Sequence, residues 1–111
     1  MAIQNTAIAS GMSPETIYNS SGTTAITTTI FCNTNVYNPA SPATNIIELT
    51  LHVIPSGDAR SAANMILNAL PIPAGETFTF DTEKVVLENG DTLVALASAA
   101  NLSATVSYMS V

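Results

Sequence analysis

The chain has 111 residues, the size of one domain and too few for a second hydrophobic core. Charged residues make up 9% of it and hydrophobic ones 47%, against a charged fraction of about 25% in typical soluble domains. Two basic residues, Arg60 and Lys84, stand against eight acidic ones, and the net charge of -6 excludes sequence-independent binding to nucleic-acid phosphates and argues against anionic membrane surfaces.

The first residues, Met1-Ala2-Ile3-Gln4-Asn5-Thr6, hold neither the basic region nor the apolar core of a secretion signal, and no segment reaches the ~20 apolar residues that span a bilayer. The expectation is a protein that folds where it is translated. Residues 3–9 read as a first strand or, within residues 1–10, as an extended arm that a partner would fix. After Pro14, Thr16-Ile17-Tyr18 forms a short strand. Gly22 introduces residues 23–33, whose β-branched and aromatic concentration favours a pleated strand over a helix. Cys32 lies in this run as the sole cysteine, which excludes an intrachain disulfide, and reads as a small buried hydrophobe.

Residues 33–45, with Pro39-Ala40-Ser41-Pro42 at their centre, form the longest loop and carry no charge. Residues 45–54 then alternate, with Ile47, Leu49, Leu51 and Val53 on one side and Glu48, Thr50 and His52 on the other, as in a half-buried strand. Pro55-Ser56-Gly57-Asp58 ends it, and a loop runs to about Ala63. Residues 65–70 have helical propensity in Ala and Leu. A strand is preferred because the run leads through Pro71-Ile72-Pro73-Ala74-Gly75 into Thr77-Phe78-Thr79-Phe80, the form of a hairpin. Residues 81–87 bring Val85, Val86 and Leu87 to the core. Asn89-Gly90 predicts a turn with positive φ at both central positions. Residues 92–98 resume a strand, and Ala99-Ala100-Asn101 turns the chain into a closing hairpin with Leu102, Ala104, Val106 and Tyr108 on the buried side.

Seven or eight short strands at this spacing predict one all-β domain over residues 1–111, a two-layer antiparallel β-sandwich of immunoglobulin-like or jelly-roll type. No internal repeat suggests a solenoid or propeller.

Catalytic signals are weak. His52 stands on the polar side of its strand without a nucleophile elbow and reads as a surface or interface histidine. Asp81, Glu83, Glu88 and Asp91 cluster around a turn, but their spacing matches no calcium loop, and a solvated turn is the expectation. No glycine-rich phosphate cradle occurs. Asn19-Ser20-Ser21 and Asn101-Leu102-Ser103 match glycosylation acceptors but read as turn chemistry without a secretory route. The expectation is a non-enzymatic protein without cofactor or metal. Its candidate interface residues are Tyr37, Pro39, Ser41 and Pro42 in the uncharged loop, with Ile3 and Ile8 near the amino terminus.

Along most of its length the chain resembles small virion-associated proteins of tailed bacteriophages, including those of cyanobacteria and other marine bacteria. The likeness is carried by residues 16–25 (Thr-Ile-Tyr-Asn-Ser-Ser-Gly-Thr-Thr-Ala), by Phe31-Cys32-Asn33-Thr34, by Leu51-His52-Val53-Ile54-Pro55-Ser56-Gly57, and by Asp81-Thr82-Glu83-Lys84 leading to Leu87-Glu88-Asn89-Gly90-Asp91-Thr92. The resemblance implies a structural component of the virion, made in the host cytoplasm, such as a capsid decoration (cement) protein. Such a protein would be a homo-oligomer, expected as a trimer, packed on the major capsid protein or other virion proteins. A tail, neck or baseplate part, or an adhesin or carbohydrate-binding module on the particle, are the alternatives. The residues 39–44 loop is longer than the resemblance leads one to expect.

Overall fold

A computed structural model describes residues 2–80 and 85–111. Among them are nine strands: β1 (Ala2–Ile8), β2 (Glu15–Asn19), β3 (Thr24–Asn33), β4 (Ile47–Ile54), β5 (Met65–Ile72), β6 (Thr77–Phe80), β7 (Val85–Leu87), β8 (Thr92–Ala97) and β9 (Leu102–Ser110). One sheet has the order β1-β9-β3-β6, with β7 also on β3, and the other the order β2-β8-β4-β5; all pairings are antiparallel. The expected two-layer sandwich is therefore present.

The strand order follows from folding one long hairpin. β4 lies on β5, β3 on β6 and β7, β2 on β8, and β1 on β9, as in a ribbon bent at residues 55–64. The ribbon then rolls, so that β9 also meets β3 and β8 also meets β4. This double-sheet arrangement is the jelly roll, and it separates the two types that alternation alone left open. β6 and β7 share β3 end to end, which raises the strand count to nine.

Inner-face side chains of both sheets form the core, with Ile17, Phe31, Ile47, Leu49, Leu51, Ala95 and Val106 all essentially inaccessible to solvent. Burial of each large side chain contributes about 1.5–3 kcal/mol. A β-bulge between Ile26 and Thr28 restores the phase of β3, so that Thr24, Ile26, Thr29, Phe31 and Asn33 are all buried. A second irregularity on β5 places Ala69 at φ 52°, where its N–H meets the Thr50 hydroxyl at 3.1 Å.

Of the two expectations for the first residues the strand holds, since β1 pairs with β9 from Ala2 to Ile8. Several other local expectations give way to the roll. β5 and β6 lie in different sheets, as do β8 and β9, so neither connection is a hairpin; the turn residues that close a hairpin also serve a crossing between layers. Val86 is exposed, while Val85 and Leu87 face inward. At residues 88–91 only Gly90 has a positive φ, because the turn joins strands of different sheets and the twist match of a two-residue hairpin does not apply. Cys32 is half-buried on the outer side of its sheet, since the buried phase of β3 falls on Phe31 and Asn33.

Candidate functional site

Four connections meet at one end of the sandwich: residues 9–14, 34–46, 73–76 and 98–101. Backbone bonds tie them together, with Met12 N–H on Ala97 O at 2.9 Å, Thr34 N–H on Asn101 O at 2.9 Å, and Gly75 N–H on Asn33 O at 3.1 Å. Glu76 is the one ionisable carboxylate in these four connections.

An asparagine network holds the base of the long loop. Asn33 closes β3 with its side chain fully buried, and its Nδ2 donates to Asn45 O and to Ile72 O, both at 2.8 Å. Its Oδ1 accepts from the backbone N–H of Asn35 at 3.1 Å and from Asn35 Nδ2 at 2.9 Å. Asn101 Nδ2 donates to Asn35 Oδ1 at 2.9 Å, and Asn101 O accepts from Thr34 Oγ1 at 2.9 Å. Asn45 and Asn101 take φ of 65° and 78°, a region that asparagine enters more readily than most residues. Amides satisfying amides fix the loop without placing a charge in it.

Above this base the loop presents apolar groups to solvent. Val36 is 86% exposed and Tyr37 50%, and Met12 and Ile46 are also exposed in the connections at this end. Pro39, Ser41 and Pro42 ride on two successive turns, closed by Ser41 N–H on Asn38 O and Thr44 N–H on Ser41 O, both at 3.0 Å. All three are exposed. Tyr37 packs at the turn below, where its Cβ would lie 3.5 Å from a Cβ added at Gly75. The assembly is pre-ordered and nearly uncharged, so docking would strip little tightly held water and freeze few flexible side chains.

Four of the six expected interface residues thus converge here. Ile3 lies toward the other end of the molecule, on the strand that pairs Ala2 with Tyr108. Ile8 belongs to the core at 4% exposure, because the inward phase of β1 falls on it opposite Leu102. Sequence reasoning missed Met12, Val36 and Ile46 at the tip and Asn33, Asn35 and Asn101 beneath; an Asn-x-Asn closing a strand was the available signal.

His52 is not at the surface. Residues 55–64 fold back over the outer face of β4, and a 3-10 turn at Ala62–Asn64 sets Asn64 Oδ1 2.8 Å from His52 Nδ1. That oxygen also accepts from the Ser61 N–H, so the imidazole Nδ1–H is the donor. Among the described residues, Nε2 is buried without a partner, and no carboxylate or hydroxyl bonds the ring. Thr50 and Ile54 are buried on the same side.

At the opposite end Asp91 works as a turn clamp, accepting from Ser56 N–H at 2.8 Å and Glu88 N–H at 2.9 Å. Asp81 and Glu83 lie outside the described residues. Among the described residues, no three His, Cys, Asp or Glu side chains come close enough to hold a metal ion, and no helix is long and apolar enough to cross a membrane. Comparison with protein families, curated proteins and solved structures found no match to this chain.

Proposed function

We propose that the chain is a non-enzymatic structural protein of a bacteriophage particle, a capsid decoration protein that seats its uncharged loop end on the major capsid protein. The observation that carries this reading is the pre-ordered end built from residues 34–46, where Val36 and Tyr37 stand exposed on an asparagine-bonded base. Charged groups at the centre of a protein interface are depleted and aromatic ones enriched, and this surface has that composition. The jelly roll recurs in viral capsid domains, a likeness at the level of fold. The sequence resemblance to small virion proteins supplies the setting.

Quantitative mass spectrometry of purified particles tests the proposal. Hundreds of copies per particle, removed with the head fraction, are expected of a decoration protein. A few tens of copies in the tail fraction would move the chain to a tail or baseplate role, and its absence from particles would overturn the reading. Val36→Asp, at a side chain almost wholly exposed, is expected to weaken binding of the purified protein to undecorated shells strongly while leaving its melting temperature unchanged.

A further inference from the structure

No strand of the β1-β9-β3-β6/β7 sheet contains a charged residue. Its outer face follows from the register. Met109, Ala25 and Val86 form one cross-strand row, Ile3 and Ser107 the next with Thr28 beside them, then Asn5, Thr105, Ile30 and Thr79, and finally Ala7, Ser103, Cys32 and Thr77. Among the described residues, this face of a chain carrying a charge of -6 holds no charge at all.

The two ends of the face differ in relief. Ile3 (64% exposed), Val86 (58%) and Met109 (42%) project at the end where β9 finishes. Small side chains, Ala7, Ser103 and Cys32, occupy the other end. There a shallow depression of about 350 Å³ lies between β1 and β9, bordered by Asn5, Ala7, Ser103 and Thr105.

We infer that this face pairs with the same face of a second copy of the chain, about a two-fold axis lying in the interface and running across the strands. That axis sets Ile3, Val86 and Met109 of each copy over the Ala7, Ser103 and Cys32 end of the other, so projections meet depressions twice. Self-complementarity of this kind is what an isologous two-fold contact requires. Charge selects the occupant: two copies at -6 repel wherever carboxylates approach, and this face lets them meet without burying one.

The area suffices. Four strands about 4.8 Å apart, with a rise of about 3.4 Å per residue over the length of β9, give roughly 600 Å² in projection, before side-chain relief is added. A standard interface takes about 800 Å² from each partner. The inference is independent of the proposed virion role, because it uses a different surface and is read on the isolated protein.

Sedimentation equilibrium over a concentration series tests it. The expected result is a reversible species of twice the 11.5 kDa chain mass. Raising the salt concentration should leave the dissociation constant unchanged or lower it slightly, since no ion pair joins the copies and screening only relieves repulsion. Thr105→Lys and, separately, the exposed Ala7→Lys should raise the dissociation constant at least about a hundredfold by burying an unpaired ammonium, while Asn68→Lys on β5 should not.

Cys32 gives a second readout that does not depend on a variant folding. Its alkylation by iodoacetamide should slow at least about tenfold between dilute and concentrated protein as the dimer covers it. A monomer at every concentration, a trimer, loss of association with rising salt, or Cys32 alkylation independent of concentration would each overturn the inference.

Discussion

Replacing Asn33 should damage this protein more than any other single polar substitution at the loop end. Its side chain is fully buried and makes four hydrogen bonds, two from Nδ2 to the Asn45 and Ile72 carbonyls and two to Oδ1 from Asn35. At about 1 kcal/mol for each of the four bonds, Asn33→Ala should cost about 4 kcal/mol. For a domain of this size that lowers the melting temperature by on the order of 15 °C. Asn33→Asp nearly preserves the volume but turns an oxygen toward two carbonyl oxygens, and should cost at least as much. Differential scanning calorimetry gives the magnitude, and hydrogen exchange should show lost protection concentrated at Thr34 and Gly75, whose N–H groups bond within this network. A loss below about 1 kcal/mol for both variants would refute the claim that amide pairing, and not packing alone, orders the loop.

Gly90→Ala meets two penalties, a φ of +89° and a Ser56 Oγ 2.6 Å from the new Cβ, so thermal melts should show a loss of about 1–3 kcal/mol. Asn64→Ala frees the loop that its side chain ties to Ser61, Ala59 and His52, and leaves the buried His52 Nδ1–H unpaired. Limited trypsin digestion should then cut after the exposed Arg60 several-fold faster than in the parent, with a stability loss of about 1–3 kcal/mol by denaturant titration. Ala69→Gly relieves a φ of 52° but loosens the unfolded chain, so chemical denaturation should find it within about 1 kcal/mol of neutral, whereas Ala69→Val should be clearly destabilising.

Regular alternation was legible wherever one face of a strand meets the core and the other meets water, as in β9. It failed at β4, where Thr50, His52 and Ile54 occupy the nominally polar side yet are buried. The His52 ring is covered by Asn64 of the returning loop, Thr50 meets Ala69 of β5 and Ile54 clusters with Val94 and Leu96, and no two-residue period encodes such distant partners. The pairing of strands was hidden for a related reason. Pro73-Ala74-Gly75-Glu76 and Ala99-Ala100-Asn101 are good turns, and a turn does not state whether the next strand stays in its sheet or crosses to the other. Of the candidate surface, the lack of charge in residues 34–46 could be read directly. Its foundation could not, because Asn35 and Asn101 are 66 residues apart in the chain. Ile8 was misassigned because an apolar residue near a terminus looks available until its partner strand is known.

The folded ribbon also fixes where anything attached to this domain must go. Ala2 lies opposite Tyr108, and Val111 N–H bonds Thr23 O, so both extremities of the described chain emerge at the end remote from residues 34–46. A peptide or folded cargo joined to either extremity would therefore trail outward when the loop end is occupied, and two different cargoes would leave side by side. With the loop end seated as proposed, the length of the strands would hold both extremities away from the contact.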